Sequence, residues 1–156
     1  MSVSVQETDF DVGAEIAALG EGDVGAGAVA SFVGLVRAGD DGIAAMTLEH
    51  YPGMTEKSLD EIVATAGQRW QLRRVRVIHR IGRLVPGDRI VFVGVTSAHR
   101  GDAFAACEFI MDYLKTRAPF WKKEETPAGG RWVDARETDD AAAARWEPGD
   151  GGVNSG

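Results

Sequence analysis

Two lysines on either side of a proline are the residues of this sequence best suited to chemistry. They lie in the run Tyr113-Leu114-Lys115-Thr116-Arg117-Ala118-Pro119-Phe120-Trp121-Lys122-Lys123-Glu124. Residues 113–123 hold four bases and no acid, inside a chain of net charge -7. A basic run is often only a solvated face, but a basic island in an acidic protein points to a local anion site. Lys115 falls near the end of a predicted helix. There it either complements the helix dipole or projects into a cleft, where partial desolvation makes an amine useful as an acid or base. Spacing does not choose between the two. In an extended segment after Pro119, Lys122 shares a face with Phe120, while Lys123 takes the other face. A cation beside an aromatic ring suits a flat, charged ligand; it equally suits a lysine stem lying over a ring.

Other candidates are weaker. His99-Arg100 stands where a strand gives way to a helix, and exposed N–H groups at a helix start attract anions; ordinary capping by Ser97 is the competing reading. Arg37 closes a strand before a Gly-rich turn and says little alone. His50 and His79 fall within strand patterns and read as structural. Three scattered histidines and one cysteine give no metal-ligand spacing, and Cys107 lies on an apolar helix stripe, so it reads as core. Neither a dinucleotide-binding fingerprint nor a phosphate-binding loop is present, and no cofactor is expected.

The elements that must position these groups can be read from periodicity. A first strand over 3–10 and a short helix over 12–19 are followed by a strand over 26–36, with Gly34 as a bulge. A turn at 38–42 leads to a strand over 43–51, expected to form a hairpin with its predecessor. Pro52-Gly53 ends it, and Leu59, Ile62, Val63, Ala66 and Trp70 then recur at helical spacing over 54–70. A half-exposed strand over 72–81 has Val75, Val77, His79 and Ile81 on one face and Arg74, Arg76 and Arg80 on the other. Residues 90–95, apolar on both faces, predict a central strand. A helix over 99–117 carries Phe104, Cys107, Met111 and Leu114 as its stripe and stops at Ala118-Pro119. A hairpin over 120–125 and 131–135 and a helix over 138–146 complete an α+β fold with mostly antiparallel sheets.

At 156 residues the chain suits one domain, expected over 1–146, with a disordered Gly-rich tail over 147–156. No stretch approaches the roughly 18 apolar residues of a membrane span. The first base is Arg37, so the basic start of a secretory signal is missing, and the lone cysteine suits a reducing compartment. A cytoplasmic protein is expected. The acidic balance argues against a general nucleic-acid binder, although residues 1–24 hold six acids and no base.

Five runs carry a resemblance: TLEHYPGMTEKSL (47–59), VIHRIG (77–82), VFVGVTSAHR (91–100), YLKTRAPFWKKE (113–124) and RWVDAR (131–136). Together, over about residues 23–146, they resemble the large catalytic subunit of molybdopterin synthase, the MoaE family. The resemblance implies an α/β hammerhead with an added antiparallel subdomain. It also implies a sulfurtransferase of molybdenum cofactor biosynthesis, converting cyclic pyranopterin monophosphate (precursor Z) into molybdopterin. Sulfur would arrive on the C-terminal Gly-Gly thiocarboxylate of a small ubiquitin-like partner of the MoaD type, with two large subunits forming the centre of a heterotetramer. By position, Lys115 and Lys122 match the family's active-site lysines. Arg37, His99 and Arg100 match its anion-binding residues, the last two being supplied by the other protomer. Lys123 and Glu124 adjoin the site, and Arg136 matches a further basic residue. Leu35 stands where the family pattern leads one to expect lysine, so only its backbone, with that of Val36, is expected to line the site. Two rival readings are a non-catalytic binder of phosphate-bearing ligands or RNA ends, and a subunit that only receives a ubiquitin-like tail. Steeply salt-dependent nucleic-acid binding would mark the first.

Overall fold

Two four-stranded sheets form the β structure of the described residues, their strands interleaved along the chain. The computed structural model describes residues 2–39, 42–127, 129–133 and 137–147. In chain order the elements are β1 (Ser2–Gln6), α1 (Val12–Gly20), β2 (Ala28–Leu35), β3 (Ala45–His50), α2 (Met54–Arg69) and β4 (Arg74–Arg80). They continue with β5 (Gly82–Leu84), β6 (Arg89–Ser97), α3 (Arg100–Arg117), β7 (Phe120–Thr126), β8 (Gly129–Val133) and α4 (Glu137–Ala144). The first sheet runs β1-β4-β6-β2 and the second β5-β3-β7-β8. Among the described residues only β1 with β4 is parallel; every other pairing is antiparallel.

The strand β6 is internal, as its unbroken apolar run predicts, and Val91, Val93 and Val95 are fully buried with Val75 and Val77 of β4 beside them. Each such side chain contributes roughly 1.5–3 kcal/mol of burial. The helices α2 and α3 cover this face, through Leu59, Ile62, Val63 and Ala66 on one and Ala103, Ala106, Cys107, Ile110 and Leu114 on the other. The opposite face is covered as well. Phe10 and Leu19 from the α1 region pack on Ile78 and Phe92, so β4 is enclosed on both sides and not half-exposed. The arginines on and just before it meet acids of the N-terminal segment: Arg76 meets Glu15 at 3.0 Å and Arg73 forks onto Asp23 at 2.7 and 2.8 Å.

The bulge expected at Gly34 is present, as a register shift between Gly34 and Leu35 opposite β6. The hairpin expected between β2 and β3 is not. The strand β2 pairs with β6 in the first sheet, whereas β3 pairs with β5 and β7 in the second. Val36 explains the parting: it is buried, its N–H donates to the Asp88 carbonyl and its own carbonyl accepts from Gly87. That clamp commits the end of β2 to the β5–β6 turn and sends the chain across to the other sheet. The strand β5 was not anticipated; three residues after Ile81 are too few to show a period.

Candidate active site

The two lysines are placed by a helix, a proline corner and a strand. The helix α3 starts at His99, whose backbone is extended (φ -131°, ψ 153°) and whose side chain makes no capping bond. Ser97 is not the cap that its position suggests, since its hydroxyl donates to the Gln71 carbonyl at 2.7 Å. Lys115 lies in the last turn of α3 beside buried Leu114. Pro119 ends that helix, and β7 begins at once with Phe120. Within β7, Phe120, Lys122 and Glu124 turn inward, while Trp121 and Lys123 are exposed. The predicted division of Phe120 and Lys122 from Lys123 is therefore observed.

His79 links the lysine corner to the first sheet. It is buried on β4, its ring stacks on Phe120 with centroids 3.9 Å apart and planes at 20°, and burial and the nearby charge of Lys115 push its pKa down to about 4. Its Nδ1 lies 2.8 Å from the Arg80 carbonyl oxygen, an acceptor, so Nδ1 holds the proton of the neutral ring. His79 pairs with Val91 of β6, and Leu35 of β2 pairs with Arg89 of the same strand. Arg37, exposed just past β2, thus stands at the same end of the sheet, two strand spacings or about 10 Å across from the histidine's strand.

The remaining candidates divide. Glu124 is 3% exposed and pairs with Arg131 at 3.4 Å, so it is a buried structural charge on the inner face of β7. Lys123 lies 5.9 Å over the Trp132 ring on the outer face. Leu35 is exposed, whereas Val36 is buried with both backbone groups already used. His99 and Arg100 are exposed at the opposite end of α3. Fifteen residues of helix, at 1.5 Å each, separate Arg100 from Lys115 by about 22 Å. A single chain cannot bring these two to one small ligand. Arg136 lies outside the described residues.

A groove of about 610 Å³ runs between β2 and α3. It is lined by Phe32 and Ser31 of β2 and by Phe104, Glu108, Met111 and Asp112 of α3. Positions 101, 104, 108, 111 and 112 follow one helical face, and Lys115 is the next residue along it. Among the described residues β2 pairs only through β6, so its groove side is an open strand edge. Phe104 belongs here, at 65% exposed, and not to the core stripe. One position of phase separates it from Ala103 and Cys107, which periodicity alone did not resolve. The sequence reading missed Phe32 and Met111 as site residues because both sit in apolar patterns indistinguishable from core.

Two lysines flanking a proline corner, with an open groove alongside between β2 and α3, are chemistry suited to an anionic ligand. The MoaE protein family model matches residues 5–117. A molybdopterin synthase catalytic subunit from Ralstonia nicotianae is 64% identical over 147 residues, covering 93% of this chain and 84% of that protein. The solved molybdopterin biosynthesis MoaE protein from Burkholderia ambifaria superposes with a TM-score of 0.81 at 61% identity, over 93% of this chain and 97% of the other. A complex of subunits 1 and 2 of molybdopterin-converting factor from Helicobacter pylori shares the fold at 20% identity and a TM-score of 0.70, over 86% and 90% of the two chains. The chain belongs to the MoaE family, that of the molybdopterin synthase catalytic subunits.

Proposed function

We propose that this chain is the sulfur-inserting subunit of a molybdopterin synthase. It converts cyclic pyranopterin monophosphate into molybdopterin, taking both dithiolene sulfurs from the C-terminal thiocarboxylate of a small ubiquitin-like partner. The observation that carries this reading is the lysine corner at the end of the helix that walls the groove, in a chain with no usable sulfur of its own. Cys107, the only cysteine, is buried, and burial pushes its thiol up to about 11. A thiol held protonated inside a core is a poor nucleophile and a poor carrier. Sulfur must come from outside, and the groove between β2 and α3 offers a path for an extended Gly-Gly tail to Lys115.

In this reading Lys115 exchanges protons, or assists covalently, as the thiocarboxylate sulfur adds to the pterin and water then cleaves the resulting thioester, leaving sulfur on the pterin and a carboxylate on the partner. Lys122 orients the pterin or the tail, and Arg37 offsets the phosphate charge. Lys123 adds positive charge, Arg136 is assigned the same role from the family resemblance alone, Leu35 follows the groove-lining stretch of β2, and Val36 and Glu124 support the backbone there. His99 and Arg100 serve the site of a second copy, since they are too far from Lys115 in their own chain. The assembly is then a homodimer with one small subunit at each end.

Reconstitution tests the proposal. Purified chain, thiocarboxylated partner and cyclic pyranopterin monophosphate should yield the dithiolene product, read by mass spectrometry. Lys115→Ala should lower turnover by about 100-fold or more. Product formation at near wild-type rates by that variant would remove Lys115 from the chemistry, and no product from the unaltered chain would sink the function itself.

A further inference from the structure

The corner between the two lysines is held by residues that belong to neither of their elements. Thr55, fully buried near the start of α2, donates its hydroxyl to the Pro119 carbonyl at 2.9 Å. The same oxygen accepts the Tyr51 N–H at 3.0 Å. A hydroxyl has one proton, so accepting from Tyr51 and donating to Pro119 fixes its rotor. From the other side, the His79 ring lies flat on Phe120, and the Phe120 N–H closes the corner on the Ala118 carbonyl at 3.0 Å. Ala118, Pro119 and Phe120 are thus pinned by α2 and by β4 together. They are also part of the short covalent link joining Lys115 to Lys122, so a rotation there would carry the two amines apart.

The geometry points to Thr55 as a positioning residue for the lysine pair, with the His79–Phe120 stack as its second pin. The inference rests on Lys115 and Lys122 being the working amines. Neither Thr55 nor His79 needs to touch substrate; each acts through the corner. Positional errors of an ångström are costly in a preorganised site, so the effect should fall on turnover more than on substrate affinity.

Thr55→Val keeps the shape and removes the hydroxyl, while Thr55→Ser restores it. In the reconstituted reaction Thr55→Val is expected to lose about tenfold or more in kcat with the pterin KM within about twofold, and Thr55→Ser to recover most of the loss. His79→Phe, which keeps a flat ring against Phe120, should retain kcat, and His79→Ala should not. A second reading is independent of turnover. The chain has four lysines, Lys57, Lys115, Lys122 and Lys123, so their side-chain NMR signals can be assigned singly. His79→Ala and Thr55→Val should both displace the Lys115 and Lys122 signals, and Thr55→Ser and His79→Phe should leave them in place. Unchanged kcat per folded molecule and unmoved lysine signals in Thr55→Val would overturn the assignment. If Thr55→Val does not fold, unmoved signals in His79→Ala would do so. Absence of product from wild type would count against the enzyme reading, while the lysine spectra would still decide the corner.

Discussion

His79 shows how a single residue reads differently in sequence and in space. Its place in a strand pattern marked it as structural, and it is buried in β4. Nothing in the local pattern showed that its ring would lie on Phe120, because that contact joins two sheets and depends on the path of α3. The same is true of Thr55, which looks like a helix-start threonine until Pro119 arrives above it. The lysines themselves were legible, since a proline stop and strict alternation fix their faces locally. His79 also carries a pH signature. Burial first, and Lys115 second, depress its pKa to about 4 from the usual 6.5. Between those values the unfolded chain binds a proton that the folded chain refuses, so stability is full above about pH 6.5 and falls as the pH drops towards 4. Urea denaturation at pH 7.5 and 5.0 should show wild type losing about 2 kcal/mol more than His79→Phe over that interval. Parallel losses in the two proteins would show that the imidazole is not held neutral.

At the scale of elements, pattern reading succeeded where one face decides and failed where a partner decides. The helices α2 and α3 and the central strand β6 were legible because their apolar positions repeat at their own period. The β2–β3 hairpin was misread because a turn-like sequence between two strands does not say which sheet each strand joins; the clamp on Val36 decides that. The second cover on β4 was missed because arginines alternating with valines look like a solvent face until the acids of residues 1–24 are laid over them. Gly94 is the signature of that cover. A Cβ there would meet Leu19 Cδ1 at 2.4 Å and the Phe92 ring at 2.8 Å, so the close approach of α1 to β6 requires glycine. Gly94→Ala should cost about 1–3 kcal/mol by overpacking, and Leu19→Ala about 2–5 kcal/mol by leaving a cavity. The double variant should lose less than the sum by at least about 0.5 kcal/mol, because each change relieves the other. Strict additivity in denaturant titrations would mean that α1 shifts away instead of clashing.

For the whole molecule, the separation of Arg100 from Lys115 makes a prediction about pairs of chains. If each site takes Lys115 from one copy and Arg100 from the other, Lys115→Ala and Arg100→Ala chains should each be inactive alone. Unfolded and refolded together, half of the dimers would be mixed, and each mixed dimer would hold one intact site. The mixture should therefore regain about a quarter of wild-type turnover. A mixture as inactive as its parts would place both residues in the same chain's site or outside it. Such a two-copy arrangement is not legible from spacing, since sequence distance along a helix becomes a physical length only once the helix is known to be unbroken over residues 100–117.

The central place of β6 also sets an order of events during synthesis. Both β2 and β4 hydrogen-bond to it, and β1 is joined to the rest only through β4. Until Arg89–Ser97 has left the ribosome, the first sheet can form nothing beyond the β1–β4 pair, and β2 has no strand to pair with. The exposed apolar strand that later borders the groove thus also waits long for its first strand partner, through more than fifty residues of chain growth, and only β1 waits longer. Its bulge at Gly34 and the alanines and serine interleaved along it keep that waiting segment from being a long, flat, uniformly apolar edge.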